Sequence, residues 1–166
     1  RDRALKFLQP SSVKRRLAVI SHLFSIARKE WGFKIDNPVL DIRKPKLPEP
    51  RDRRFNDKEL KLLIYGNKTS SKLKSIIQIA LETGMRQSEI LRIKKEHLIN
   101  QSLFIPIAKT KPRTIPLTRK ALGLINNSDL PFGLSGMAVS KQFFKLCKFY
   151  NIKDAKFHDL RRQALT

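Results

Sequence analysis

Residues 70–90, SSKLKSIIQIALETGMRQSEI, hold the pattern that decides the fold. Leu73, Ile76, Ile77, Ala80 and Leu81 recur at helical spacing and define one apolar face, behind a start that Ser70 or Ser71 can cap. Gly84 closes this helix, because glycine enters the left-handed backbone of a C-terminal cap without a steric penalty. The end of a buried helix therefore falls immediately before Arg86, and a short helix is predicted from Gln87 to about Ile93.

The same logic extends in both directions. Asn56 with Glu59 three residues on forms the pattern of a capping box ahead of Leu60, Leu62, Leu63 and Ile64. Leu103 to Ala108 and Arg113 to Leu117 read as two short strands around a turn at Lys111-Pro112, a hairpin with Lys109 at its tip. Thr118 can cap a helix through Leu124, Val139, Phe143, Leu146 and Tyr150 mark another, and Leu160 to Thr166 open one more. Upstream, Ser11 or Ser12 can cap a helix with Val13, Leu17, Ile20, Phe24 and Ala27 on one face, ending near Trp31-Gly32, where Trp31 is expected as a core or helix-end anchor. Prolines at 38, 45, 48 and 50 then block regular structure. The expected fold is mainly α with a small antiparallel β-hairpin (α+β), arranged as a helical segment 1–44, a Pro-rich linker 45–55 and a second domain 56–166.

Composition narrows the partner. The 166 residues contain 36 Lys and Arg against 14 Asp and Glu, a net charge of +22, with 40% hydrophobic content for a packed core. A field of this size draws polyanions, and nucleic acid leads the candidates. Residues 1 to 55 carry 15 basic and 6 acidic groups, so the excess belongs to both parts of the chain rather than to a tail. Lys14, Arg15, Arg28 and Lys29 line the outer face of the first long helix, where phosphate contact and plain solvation are both open readings. No apolar run approaches a membrane span and no signal peptide precedes the first helix, so no membrane partner is expected. Cys147 stands alone in an apolar pattern, is read as core, and points to a reducing cytoplasm. Arg1 in place of Met, and a helix at 160–166 without a stop signal, make both ends read as cut.

Three motifs carry the chemistry. Leu81-Glu82-Thr83-Gly84-Met85-Arg86-Gln87-Ser88-Glu89-Ile90 resembles the first arginine motif of the tyrosine recombinases, the phage integrase family of site-specific DNA recombinases. Ala108-Lys109-Thr110-Lys111 through Arg113-Thr114-Ile115-Pro116-Leu117 resembles that family's lysine hairpin, and His158-Asp159-Leu160-Arg161 resembles its HxxR motif. The segment through Asn37-Pro38-Val39 is similar to the last helices of the family's core-binding domain, which would make 56–166 the catalytic domain.

The residue types suit the chemistry independently. A phosphoryl group in transfer spreads negative charge over its nonbridging oxygens, and planar bidentate cations such as Arg86 and Arg161 stabilise that state. Glu89, one turn past Arg86, either fixes that guanidinium or forms a helix-surface salt bridge. His158 shares a helical face with Arg161 and can bond a phosphate oxygen or accept the nucleophile's proton. Lys109 is the preferred general acid for a departing 5′ hydroxyl, with Lys111 as its rival. Lys111 and Arg113 are further candidate DNA contacts. Asp159 is read as a helix-start or packing residue, and neither metal nor cofactor is expected.

The resemblance implies cleavage and rejoining of double-stranded DNA through a 3′ phosphotyrosine, by a homo-oligomer on DNA. The family's tyrosine lies beyond HxxR, preceded by a histidine or tryptophan. Tyr65 and Tyr150 come too early and are read as core residues, and His22 and His97 do not match either. The polypeptide alone, expected as a monomer, should bind DNA without cutting it. A type IB topoisomerase-like enzyme and a non-catalytic DNA-binding remnant remain as alternatives.

Overall fold

A computed structural model describes residues 2–108 and 111–165. Two compact units emerge, Arg1–Arg51 and Asp52–Thr166, each with its own apolar cluster.

The first unit is built from α1 (Asp2–Leu5) and α2 (Pro10–Lys29). Gln9 rather than Ser11 or Ser12 is the N-cap of α2, and Pro10 opens the helix, where its fixed φ fits and its missing N–H costs nothing. Val13 and Leu17 pack with Val39 in a small core. Asn37 folds the following segment back: its Nδ2 donates to the Ser21 carbonyl (3.1 Å) and to Ser21 Oγ (3.0 Å), while its Oδ1 accepts the Val39 N–H (3.1 Å). Trp31 departs from expectation. It is 57% exposed, edge-on to Phe33, because the helix ends at Lys29 and the core of this unit is too small to bury it.

The second unit holds α3 (Asp57–Tyr65), α4 (Ser71–Thr83), α5 (Gln87–Ile90), β1 (Leu98–Ile99), β2 (Ser102–Ile105), β3 (Arg113–Pro116), α6 (Arg119–Asn126), α7 (Gly136–Phe149) and α8 (Phe157–Ala164). The capping box at Asn56 and Glu59, and the caps at Ser70 and Thr118, form as their sequences predict. The strands make one antiparallel sheet in the order β1-β2-β3, with Leu103 opposite Ile115 and Ile105 opposite Arg113. Strand β2 stops at Ile105, short of the predicted Ala108, since Pro106 has no N–H to continue the ladder. Strand β1, two residues long, is too short to leave a periodic signal.

Helix α4 is the centre of this unit. It packs against α3, α6, α7 and α8, and Ile76, Ile77, Ile79 and Ala80 are all fully buried. Burial on several faces exceeds the single stripe read from sequence, because neighbours surround the helix. Tyr150 caps α7, and its hydroxyl accepts the Lys68 N–H (3.1 Å). Tyr65 is not a core residue: it is 71% exposed with Lys74 over its ring. Cys147 is buried, and burial raises its thiol to about 11.

Gly84 ends α4 at φ 60°, and a Cβ there would sit 3.3 Å from Leu165 Cδ2 just after α8. Gly84→Ala should therefore cost about 1–2 kcal/mol for the left-handed backbone, plus whatever Leu165 must yield. Urea unfolding will show it as a lower midpoint at unchanged slope.

Candidate active site

The turn after α4 is built by its own side chains. Thr83 Oγ1 donates to the Ile79 carbonyl (2.6 Å) and accepts the Met85 N–H (3.3 Å), and Met85 is buried in the core. This anchoring delivers Arg86 as the N-cap of α5, in extended backbone.

Glu89, the third residue of α5, is 3% exposed and organises what surrounds it. Its Oε2 accepts the Arg86 backbone N–H (2.9 Å) and Arg113 Nη2 (2.9 Å). Its Oε1 accepts Arg86 Nη1 (3.0 Å) and Arg113 Nη1 (3.0 Å). Four donors fill the four acceptor positions of the carboxylate. Burial pushes the carboxyl pKa up, but hydrogen bonds from Arg113 and then from the Arg86 backbone and side chain outweigh it, and the group stays below its ordinary value. The surface salt bridge weighed for Glu89 is thus replaced by an interior one, with Arg86 on one side and Arg113 on the other.

Arg161 arrives from α8, which packs along α4. Its Nη1 is buried and has no hydrogen-bond partner among the described residues. Burial lowers the pKa of this guanidinium, the positive charges of Arg86 and Arg113 lower it further, and Glu89 opposes them. Three guanidinium groups thus lie within electrostatic reach of a single carboxylate, leaving the cluster net positive, with the Arg161 Nη1 donor unpaired among the described residues.

His158 lies in the first turn of α8, one turn before Arg161, and is exposed. Asp159 is buried, and its Oδ2 accepts the Lys156 N–H (2.8 Å), the helix-start role expected for it. The other end of α8 is also tied: Arg54 Nη1 donates to the Arg162 carbonyl (2.6 Å) and the Phe55 N–H to Gln163 Oε1 (3.0 Å).

The preferred lysine, Lys109, lies outside the described residues. Lys111 is exposed just before β3. In the first unit Lys14, Arg15, Arg28 and Lys29 are all exposed, and at 3.6 residues per turn they fall within about 140° of arc on α2. Among the described residues no group of three or more His, Cys, Asp or Glu is placed to hold a metal ion, and no helix is long and apolar enough to cross a membrane.

Arg113, a candidate DNA contact from the sequence, has a partner that the sequence reading did not name: Nη1 and Nη2 each donate to Glu89, while the side chain stays 35% exposed. One signal was available: Arg113 precedes Ile115 by two, so strand alternation sets both on the same side, and Ile115 packs on the core.

Comparison with known proteins bears on this arrangement. The model of the Phage integrase family matches residues 53–128, a span holding Arg86, Glu89 and the hairpin. The shufflon-specific DNA recombinase of Escherichia coli is 35% identical over 167 residues, covering 94% of this chain and 43% of that protein. Among solved structures, the Tn1549 transposon integrase in complex with transposon right end DNA superposes with a TM-score of 0.80 at 16% identity, over 97% of this chain and 67% of that one. A lambda integrase tetramer bound to a Holliday junction gives 0.72 at 24%, over 93% and 53%. The fold, mostly helical with a small antiparallel sheet, is that of the integrase catalytic domains. Over residues 53–128 the chain is similar to the phage integrase family, the tyrosine recombinases, and it spans less than half the length of its E. coli relative.

Proposed function

We propose that this chain is the DNA-strand-transfer part of a site-specific recombinase acting in the cytoplasm on double-stranded DNA. Residues 56–166 form its incomplete catalytic domain, 45–55 the linker, and 1–44 the C-terminal part of a core-binding domain. The observation that carries the reading is the buried Nη1 of Arg161, without a partner among the described residues and within electrostatic reach of Arg86 and the saturated Glu89. A buried cationic donor without a partner favours an anion that can supply lone pairs, and a phosphodiester does so.

In this reading Arg86 and Arg161 hold the nonbridging oxygens, and Glu89 keeps Arg86 aimed without competing for phosphate, its lone pairs being filled. A tyrosine beyond the HxxR helix attacks phosphorus while the bond to the 5′ oxygen breaks. His158 bonds the phosphate or takes the phenolic proton, and the hairpin lysine, Lys109 or else Lys111, protonates the leaving 5′ oxygen. The phosphotyrosine conserves the bond energy, so rejoining to a new strand needs no cofactor. Lys14, Arg15, Arg28, Lys29 and Lys111 neutralise backbone phosphates. The lambda integrase tetramer on a four-way junction supports assembly of several copies on DNA.

The test is covalent trapping: the full-length gene product with a suicide duplex bearing its recombination site should yield a protein–DNA adduct linked to the 3′ phosphate. Its absence on every site flanking the gene would defeat the reading. The isolated chain should bind duplex DNA without forming an adduct, losing about 10³-fold in affinity between 50 and 200 mM salt if it meets about six phosphates. A flat salt response in a filter-binding titration would contradict this.

A further inference from the structure

We infer that Arg113 is a positioning residue that ties the start of β3, and with it the lysine hairpin, to the Arg86–Glu89 pair, so that proton delivery to the leaving strand depends on a side chain bonded to a buried carboxylate. The inference rests on the strand-transfer reading above.

Arg113 is the first residue of β3 and pairs with Ile105, the last of β2. It therefore sits where the sheet gives way to the 106–112 connection, which carries both lysine candidates. The described residues of this connection, 106–108 and 111–112, lie outside the strands, and the prolines at 106 and 112 have no N–H to add to the ladder. The pairing of the described residues ends at Ile105 and Arg113 and by itself sets no distance to Arg86.

The two-pronged bond from Arg113 to Glu89 supplies this restraint. Nη1 and Nη2 reach separate carboxylate oxygens at 3.0 and 2.9 Å, the parallel geometry that fixes orientation as well as distance. Glu89 is itself fixed by the backbone N–H of Arg86, so the base of the hairpin is registered against the main chain of the arginine motif. Arg113 thus places one N–H of each terminal nitrogen on a buried carboxylate.

A restraint of this kind predicts a loss confined to protonation. Removing Arg113 should leave Arg86 with its own two bonds to Glu89, so phosphate binding persists while the lysine is misplaced. A substrate whose 5′ bridging oxygen is replaced by sulfur needs no proton on departure, since the thiolate leaves unaided, and therefore bypasses the lysine.

The experiment compares Arg113→Met and Arg113→Lys with wild type in the full-length protein, each on ordinary and 5′-thio suicide duplexes, with thermal melting to establish folding. Arg113→Met should trap about 100-fold more slowly on the ordinary substrate, the scale of one acid's contribution, and within about 3-fold of wild type on the sulfur substrate. Arg113→Lys, which keeps the charge but loses the fork, should fall between them and serves if the methionine variant does not fold. The slope of DNA affinity against salt should not change. Equal loss on both substrates, no loss on either, or a salt slope reduced by about one, the mark of a lost phosphate contact, would each overturn the inference. If wild type traps on neither substrate, the functional reading fails instead, independently of Arg113.

Discussion

Glu89→Ala is expected to destabilise the second unit by about 3 kcal/mol, at the low end of what breaking a buried ion pair costs. The estimate is at the low end because the charges left behind are not fully enclosed: the side chains of Arg86 and Arg113 are 36% and 35% exposed, against 2% for Glu89. Water can reclaim part of each guanidinium, but mutual repulsion with Arg161 is then unopposed, and the N-terminal turn of α5 loses the acceptor for the Arg86 N–H. Urea unfolding of the isolated chain measures the change directly. A loss below about 1 kcal/mol would mean that the carboxylate merely decorates the cluster.

The same group gives a pH dependence of definite sign. The unfolded chain takes up a proton on Glu89 near the ordinary value of 4.5, whereas the folded state resists protonation to lower pH. Glu89 thus stabilises the fold above 4.5, and that contribution drains away as the pH drops through the depressed folded value. Wild type should lose stability more steeply than Glu89→Gln on acidification below about 4.5, and parallel acid-unfolding curves would refute this.

Arg161→Ala, in the full-length protein, should reduce covalent trapping on a suicide duplex by about 10³-fold, the scale of removing one preorganised donor from a developing charge. Its effect on equilibrium DNA binding should stay within a few-fold, because one phosphate contact among several carries little of the total. The asymmetry follows from where the residue stands. Nη1 is withdrawn from solvent with no partner among the described residues, so its cost is borne in the free protein and relieved when an anion arrives. A variant that binds and traps with parallel losses would reduce Arg161 to a general phosphate contact.

Local signals in the chain were sufficient for much of this. The caps at Asn56, Ser70 and Thr118 and the helix stop at Gly84 depend on residues within a few positions of each other, and they form as their sequences dictate. Where local rules competed, the reading slipped: Pro10 displaced the serine caps of α2, and Pro106 shortened β2. Tyr65 is read as core and Trp31 as a core or helix-end anchor, but helix ends and a small core leave both largely in solvent.

The sequence by itself determined the element types, the fold class and the cationic character, because each is written in spacing, capping or composition, and it placed Arg86, His158 and Arg161 through their resemblance to family motifs. Only the tertiary structure decided that Arg86, Arg113 and Arg161 gather around one buried carboxylate. That outcome requires α8 to pack along α4 and β3 to close on α5, contacts between segments 24 to 75 positions apart along the chain, for which no periodicity in the sequence encodes a distance.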